Sequence, residues 1–437
     1  MKTDKNERSE KGDKNRGTFP DAVPSPTERA EHLSTLKAWK MALDAHAFVR
    51  ARCDLFYETL QGGLDDGVPG AAPIWISGDC HGENLGAVGS ILAREGGTAS
   101  FELNDFDETV LGWAAHDLLR LALDMTVAAR SYEELRGVES VAIVASALEG
   151  YCEALSRSSP EKALALDAAP PQLRKLLRRT ADQTQTDLLD RRVPRGADGR
   201  RRFAHGARYF PLADAERAAI DALVERDEVR RLIASMTDDA PDADVEVLDA
   251  AFRVAGTGSL GCFRAAALVR IGGKKKQRAN EDDHLLRLVD IKEALPARAI
   301  RHPHAKTPSD DAERVVSGAR ALAPSVGERM IAATFLDRRV VVRELLPQDR
   351  KVTLELLKRG EAAPIARHLG AVVGRAHARQ LAAPEAAAWS AQLLPGGTCD
   401  GCPPGWLWDS LIHLVGVHEA AYLRHCGALV EKYPHLR

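Results

Sequence analysis

Two short segments near residues 80 and 105 carry the residue types that general-base and magnesium chemistry require. In the first, Asp79 and Asn84 are separated as D-x-x-x-x-N. A carboxylate in such a loop can accept the proton of an attacking hydroxyl, while the amide oxygen of the asparagine faces a metal ion. The second segment ends in Asp105 and Asp107, and Mg²⁺ prefers oxygen ligands of this kind. Together the two segments predict a catalytic base beside a metal site.

A third segment, far downstream, supplies groups that hold phosphates. Gly256, Gly258 and Gly261 form a G-x-G-x-x-G pattern, with Ser259 inside it. Both flanking segments resemble strands, which favours a glycine-rich flap over phosphates and disfavours the strand–loop–helix fingerprint of dinucleotide-binding folds. Lys292 ends a later strand-like run, from which it can reach the phosphates of ATP.

A glutamate partner for this lysine is expected on the helix that follows it, because protein kinases hold the corresponding lysine in that way. The helix is predicted to begin near Asp310, and Glu313 is our candidate, with Glu293 as the alternative. Asp117 begins another predicted helix. It either caps that helix or binds the backbone of the loop that contains Asp79.

The elements that must position these residues change character along the chain. Residues 1–30 are charged and contain Pro and Ser, which predicts a disordered tail. Residues 31–245 predict a helical part with the catalytic and metal-binding loops, and residues 246–350 a strand-rich nucleotide-binding part. Within the strand-rich part, apolar runs predict strands at residues 252–255, 265–271, 284–291 and 338–345. Residues 351–437 predict helices that complete the helical part. The expected class is therefore α+β.

Composition limits the possible functions. The chain has 437 residues, of which 45% are hydrophobic, so it can bury a large core. Its net charge of −3 argues against a general nucleic-acid binder. No apolar run approaches the roughly 20 residues of a membrane span, and the first residues lack the apolar segment of a secretory signal. Seven cysteines without regular spacing argue against a disulfide framework, so we expect a cytoplasmic protein.

Other features of the sequence allow different chemistry or none. Asp79, with the His and Asn that follow it, is similar to part of a metallophosphoesterase site, which needs further His and Asp ligands. Cys399 and Cys402 form half of a zinc ribbon, and a second pair is missing. His377 is expected to be a core histidine with its hydrogen bonds satisfied, and Arg343 to form a structural ion pair.

The segments together resemble the bacterial family called domain of unknown function 2252. The similarity covers nearly everything from about residue 30 onward, and the family name implies no activity. It rests on five motifs, at Gly78–Gly86, Asn104–Thr109, Gly256–Gly261, Ile291–Ala294 and Gly374–Arg379.

The same motifs are also similar to those of aminoglycoside-phosphotransferase-type kinases, whose G-D-x-H-x-x-N loop is followed by an acidic metal-binding motif. This resemblance implies that Asp79 is the catalytic base. It further assigns His81 and Asn84 to the catalytic loop, Asn84, Asp105 and Asp107 to the metal, and Lys292 to the phosphates.

The order of the motifs differs from that of ordinary kinases. There the glycine loop and lysine precede the catalytic loop, whereas here they follow it by roughly 170 residues. The segment Gly370–Arg379, which resembles the helix that leads into a catalytic loop, lies near the end of the chain. A circularly permuted, two-lobed protein-kinase-like fold explains this order, with a large helical lobe and a small antiparallel β-rich lobe.

The resemblance implies an ATP- and Mg²⁺-dependent phosphotransferase that moves the γ-phosphoryl group to a hydroxyl of an unidentified small-molecule or protein acceptor. Nucleotidyl transfer by the same residues stays open as an alternative. Ser317 stands where the family pattern has a glutamate. This difference leaves a second interpretation open, a kinase-like module that binds nucleotide without turning it over. A metal-dependent phosphoesterase is the third.

Overall fold

The computed structural model describes residues 23–64, 67–89, 99–131, 135, 137–156, 169–237, 243–272, 283–347, 349–351 and 360–433. Most of the predicted tail, residues 1–22, therefore lies outside the described residues. The first helix begins at Arg29, just before the predicted end of the tail. The chain combines many helices with antiparallel sheets, which confirms the predicted α+β class.

Helices form the larger part of the described chain. In chain order they are α1 (Arg29–Ala42), α2 (Ala45–Ala51), α3 (Cys53–Thr59), α4 (Ala114–Ser131), α5 (Gly137–Ser156), α6 (Pro171–Ala181), α7 (Gln185–Arg192), α8 (Asp214–Val224), α9 (Asp227–Ala234), α10 (Asp311–Leu322), α11 (Pro324–Gly327), α12 (Ala362–Ala378), α13 (Ala383–Leu393) and α14 (Gly405–Lys432).

The strands belong to three antiparallel sheets. They are β1 (Ile74–Ile76), β2 (Leu85–Gly89), β3 (Ala99–Leu103), β4 (Val110–Gly112), β5 (Tyr209–Phe210), β6 (Val245–Arg253), β7 (Arg264–Ile271), β8 (Leu286–Glu293), β9 (Met330–Phe335), β10 (Arg338–Glu344) and β11 (Arg350–Lys351). The largest sheet has the order β5-β6-β7-β8-β10-β9, and the others pair β1 with β4 and β11-β2-β3.

The six-stranded sheet is covered on both faces. Separate hydrophobic clusters lie on its two sides, and β7 contributes to each of them. Its run Ala265–Val269 is accordingly apolar without alternation, as expected of a strand buried on both faces. β8 lies between β7 and β10, which places Lys292 opposite Arg264 on one side and Val341 on the other.

The predicted strands differ from those of the structure in two places. The strand predicted at residues 252–255 is wrong in its bounds, because β6 ends at Arg253 and begins at Val245. The first half of β6 alternates between exposed and half-buried residues, including Glu246 and Asp249, so its apolar signal is weak. β9 was not predicted.

The largest hydrophobic cluster lies among the helices and includes residues of α4, α5, α12 and α14. Helices α5 and α12 pack with their backbones in close approach. A Cβ atom at Gly370 would lie 1.9 Å from the carbonyl oxygen of Ala147, and one at Gly150 would lie 2.0 Å from that of Arg367. Because glycine has no side chain, helix α12, late in the chain, can pack directly against the backbone of helix α5.

Two further findings concern the described helices and the cysteines. Among the described helices, none is both long and apolar enough to cross a membrane. All seven cysteines are free thiols.

Candidate active site

The loop between β1 and β2 (residues 77–84, the Asp79 loop) is fixed from one face of α4. Asp117 accepts hydrogen bonds from the backbone N–H groups of the first two loop residues, at 2.8 and 2.9 Å. Asp124 accepts one from the N–H of Gly82 at 2.8 Å. Both carboxylates are completely buried. Of the two roles considered for Asp117, the structure shows the contact with the backbone of this loop.

Asp79 is held in one orientation by a buried arginine. Arg120, on the same face of α4, donates from Nε to Asp79 Oδ1 at 2.8 Å. Its Nη2 donates to the carbonyl of Val49 at 2.8 Å, and its side chain is completely buried. The other oxygen of Asp79, Oδ2, lies 3.7 Å from His81 Nε2. The carboxylate of Asp79 is therefore held in a fixed orientation.

Glycine is required immediately before this carboxylate. Gly78 has a φ of +77°, and a Cβ atom there would lie 2.1 Å from the carbonyl oxygen of Glu108. At the end of the loop, Gly82–Asn84 forms a 3₁₀ turn. Asn84 donates from Nδ2 to the carbonyl of Asp79 at 3.0 Å, so it would bind a metal through its oxygen.

The second predicted segment (residues 104–109, the acidic loop) meets the sheet at Lys292. The Lys292 ammonium lies 3.4 Å from Asp105 Oδ1 and forms an ion pair with Asp107. Burial, together with the charge of Asp105, raises the pKa of Asp107. Burial acts to lower the pKa of Lys292, but the two carboxylates raise it above its ordinary value. Two half-buried carboxylates are thus kept together by a shared cation.

The helix after Lys292 contacts the acidic loop through an arginine. Arg314, completely buried in α10, donates to two carbonyls of the acidic loop at 2.9 and 2.6 Å. Glu313, the predicted partner of Lys292, is exposed on the first turn of α10. Glu293 accepts a hydrogen bond from the N–H of Phe263 at 2.8 Å. Among the described residues, the carboxylates that contact Lys292 belong to the acidic loop.

The glycine loop connects β6 to β7. Gly256 and Gly261 have φ angles of +68° and +106°, and a Cβ atom at Gly258 would meet open space. The Ser259 hydroxyl donates to the carbonyl of Ala255 at 2.6 Å, which closes the turn. The loop therefore exposes backbone at the point where the strands approach the acidic loop.

Two adjoining cavities meet at the acidic loop. The lysine-side cavity has a volume of about 410 Å³ and is lined by Lys292. The aspartate-side cavity has a volume of about 960 Å³ and is lined by Asp79, His81 and Asn84. The residues that line both cavities are Asp105, Asp107, Gly256 and Ser259. Asp79 lines one cavity and Lys292 lines the other, so the expectation that these two groups form opposite walls of a single cleft is not met, although the two cavities adjoin at the acidic loop.

Among the described residues there is no group of three or more His, Cys, Asp or Glu side chains placed to hold a metal. Cys399 is buried and Cys402 is exposed. Two carboxylates are the usual protein contribution to a Mg²⁺ site, whose other ligands are water and phosphate oxygens.

Sequence reasoning missed three charged groups of this site. Arg120 and Asp124 follow Asp117 by three and seven positions, a spacing that places them on one helix face and is visible in the sequence. Glu108 gave no such signal. Burial raises the pKa of Glu108 to about 7, although a hydrogen bond from the backbone N–H of Arg298 opposes the shift.

Two residues predicted to be structural have structural contacts. His377 Nδ1 lies 2.8 Å from the Tyr151 hydroxyl, and its Nε2 lies 3.1 Å from Asp117 Oδ2. Arg343 forms an ion pair with Asp349 at 3.0 Å. Both predictions are confirmed. The histidine also connects α12 to the carboxylate that supports the Asp79 loop.

Comparison with known proteins gives a family without an assigned activity. The family model described as "uncharacterized protein conserved in bacteria (DUF2252)" matches residues 29–428. No curated protein and no solved structure matches the chain. The matched region includes the Asp79 loop, the acidic loop, the glycine loop and the six-stranded sheet. The chain therefore belongs to the bacterial DUF2252 family.

Proposed function

We propose that this protein is an ATP- and Mg²⁺-dependent phosphotransferase, an enzyme that transfers a phosphorus-containing group of ATP to a hydroxyl. The contact of Lys292 with Asp105 and Asp107 carries the proposal. It joins a strand lysine beside a glycine loop to an acidic loop 187 residues earlier in the chain. These are the parts that phosphoryl-transfer enzymes place around the phosphates of ATP.

The acidic loop fits a divalent cation. Asp105 and Asp107 are close enough to share the ammonium of Lys292, and burial with mutual repulsion raises the pKa of Asp107. Both carboxylates would hold Mg²⁺, with the amide oxygen of Asn84 as a further ligand. The ion would neutralise charge on the phosphate oxygens.

The residues of the chain supply the rest of the chemistry. Asp79, with one oxygen fixed by Arg120, accepts the proton of the acceptor hydroxyl. The backbone of the glycine loop and the ammonium of Lys292 contact the phosphates. Such sites gain most of their rate from positioning and electrostatics, which a buried and hydrogen-bonded support for the Asp79 loop provides.

The proposal includes a circularly permuted kinase-like fold. The glycine loop joins β6 to β7, Lys292 lies on the next strand, β8, and helix α10 follows. Protein kinases have the same succession of glycine loop, strand lysine and helix. At the other end of the chain, His377 of α12 lies against the support of the Asp79 loop. This contact favours a catalytic loop completed by the C-terminal helices.

A nucleotide-binding module without turnover is the second candidate. The exposed position of Glu313 and the presence of Ser317 favour it, because active protein kinases pair the lysine with a glutamate. An inactive module would be stabilised by ATP and would yield no product.

The test of the proposed function is the variant Asp79→Asn. ATP labelled at the α- or γ-phosphorus is incubated with the full chain, Mg²⁺ and cell extract, and labelled products are separated. We expect a loss of transfer of at least about 100-fold, with ATP affinity by calorimetry close to wild type. The urea midpoint is expected to fall, because the substitution leaves the buried Arg120 guanidinium without its charged partner, so transfer is compared under conditions in which the variant is folded. Asp221→Asn, on the surface of α8, is the matched control. An Asp79→Asn protein with wild-type transfer would refute the assignment.

A further inference from the structure

The two carboxylates that the proposed function assigns to Mg²⁺ already hold a cation of the chain. The Lys292 ammonium lies 3.4 Å from Asp105 Oδ1 and forms an ion pair with Asp107. The side chain of Lys292 is only 13% exposed, and the two carboxylates are half-buried. Charges that are partly shielded from water in this way interact more strongly than charges on an open surface.

The arginines nearest to this contact are fixed by other carboxylates. Arg264, the partner of Lys292 across the ladder of β7 and β8, donates to Asp290 from Nε at 3.0 Å and from Nη2 at 2.5 Å. Arg343 of β10 donates to Asp349 at 3.0 Å. Lys292 is thus the cation of this group whose charge is held directly by the acidic loop.

Among the described residues, Lys292 has no glutamate partner that would hold it apart from the metal ligands. Protein kinases pair the corresponding lysine with a glutamate of the next helix, which leaves the metal-binding aspartate to the metal. In this chain Ser317 is found on that helix, and Glu313 is exposed on its first turn. Glu293 accepts a hydrogen bond from the N–H of Phe263 at 2.8 Å. The lysine therefore uses the metal ligands themselves as its partners.

A divalent cation and the ammonium would compete for these ligands. If Mg²⁺ bound the acidic loop while the ammonium stayed there, two cations would lie next to each other and repel. The phosphates of ATP offer the ammonium a different anionic partner. Lys292 can change partner without backbone movement, because β8 is paired on both sides at this position and the lysine side chain is long and flexible.

We infer that Lys292 occupies the metal ligands of the nucleotide-free protein, so that Mg²⁺ binds the acidic loop tightly only together with ATP. This inference rests on the proposed function and specifies how its metal site is regulated. Without nucleotide, the ammonium holds Asp105 and Asp107 together. With nucleotide, the ammonium moves to the phosphates and both carboxylates become available to the ion. The lysine thereby prevents the acidic loop from binding a metal before the nucleotide is present.

The first test measures the affinity of the full chain for Mg²⁺ alone, by calorimetry. Lys292→Met keeps most of the length of the side chain and removes its charge. Its affinity for Mg²⁺ alone is expected to rise at least about tenfold, while its affinity for ATP at saturating Mg²⁺ is expected to fall. A variant that is merely disordered would lose affinity for both ligands, so opposite changes identify competition.

Two further variants separate charge at the acidic loop from other effects. Lys292→Arg keeps the positive charge and is expected to bind Mg²⁺ alone as weakly as wild type. Arg208→Gln removes an exposed cation that lines the same cavity, and it is the matched control with wild-type affinity. Equal affinity of wild type and Lys292→Met for Mg²⁺ alone would overturn the inference. Failure of wild type to bind ATP in the presence of Mg²⁺ would instead overturn the proposed function.

The second test needs no variant and therefore stands even if Lys292→Met does not fold. A ligand that binds the folded state raises the urea midpoint. For wild type, Mg²⁺ alone is expected to leave the midpoint unchanged, with NaCl of equal ionic strength as the control, whereas Mg²⁺ with ATP is expected to raise it. A rise with Mg²⁺ alone that equals the rise with Mg²⁺ and ATP would contradict the inference.

Discussion

Three charged side chains of α4 support the Asp79 loop, namely Asp117, Arg120 and Asp124. All three are completely buried, so their hydrogen bonds to the loop replace the hydrogen bonds that they would make to water. Burial acts to raise the pKa of Asp124, but His46 and the N–H of Gly82 hold it well below its usual range. A carboxyl with a depressed pKa in the folded state stabilises the protein above the pKa of the unfolded chain. It loses that contribution as pH falls through the folded-state value. Strong acid is therefore expected to release the Asp79 loop.

Glu108 has the opposite behaviour. Burial raises the folded-state pKa of Glu108 to about 7, against an ordinary value of 4.5. As pH rises from about 4.5 to 7, the unfolded chain loses this proton while the folded protein retains it, so stability falls across that range. Glu108→Gln removes the effect. We expect the variant to gain on the order of 1 kcal/mol relative to wild type between pH 5 and pH 8, measured by urea unfolding.

The comparison of the two pH values is the control for this prediction. If the substitution changes the hydrogen bond to the Arg298 backbone, the free energy of unfolding changes by the same amount at pH 5 and at pH 8. A difference between variant and wild type that is the same at pH 5 and pH 8 would show that Glu108 does not titrate in this range.

At the scale of elements, the crossing of α5 and α12 leaves no room for a side chain at Gly370. A Cβ atom there would lie 1.9 Å from the carbonyl of Ala147, so the helices would have to separate. Gly370→Ala is expected to destabilise the protein by about 1–3 kcal/mol, the usual cost of overpacking. Urea unfolding measures the change.

Gly416 provides the matched control for this substitution. It is exposed within α14, and a Cβ atom there has no neighbour within 4 Å. Gly416→Ala is expected to stabilise the protein by about 0.5–1 kcal/mol, since alanine is the better helix former. A Gly370→Ala protein as stable as the Gly416→Ala protein would contradict the close packing of the two helices.

Local sequence patterns predicted the elements with clear periodicity and the loops with fixed spacing. β7 and β10 were found because their apolar runs are continuous, and the Asp79 loop because Asp79 and Asn84 have a characteristic separation. β6 was misplaced because half of it alternates in exposure. The partners of Lys292 could not be predicted. Which carboxylate reaches a lysine depends on how segments nearly 200 residues apart pack, and no local pattern records that.

At the scale of the whole molecule, Lys292 connects the six-stranded sheet to the helical part through the acidic loop. Lys292→Ala removes a cation that our proposal places on the phosphates. ATP affinity in the presence of Mg²⁺ is expected to fall about tenfold, measured by calorimetry. Lys432→Ala, exposed at the end of α14, is the control and is expected to bind like wild type. An unchanged ATP affinity in Lys292→Ala would contradict the assignment of Lys292 to the phosphates.

The hydrogen bond between His377 and Asp117 joins residues 260 positions apart. The Asp79 loop and Asp117 are synthesised by the time α4 ends at Ser131, whereas α12 begins at Ala362, more than 200 residues later. During synthesis, Asp117 and the Asp79 loop therefore lack the contact with His377 until most of the chain has been made. Maturation of the loop is thus a late event in the biogenesis of the protein, even though its residues are among the first to be translated.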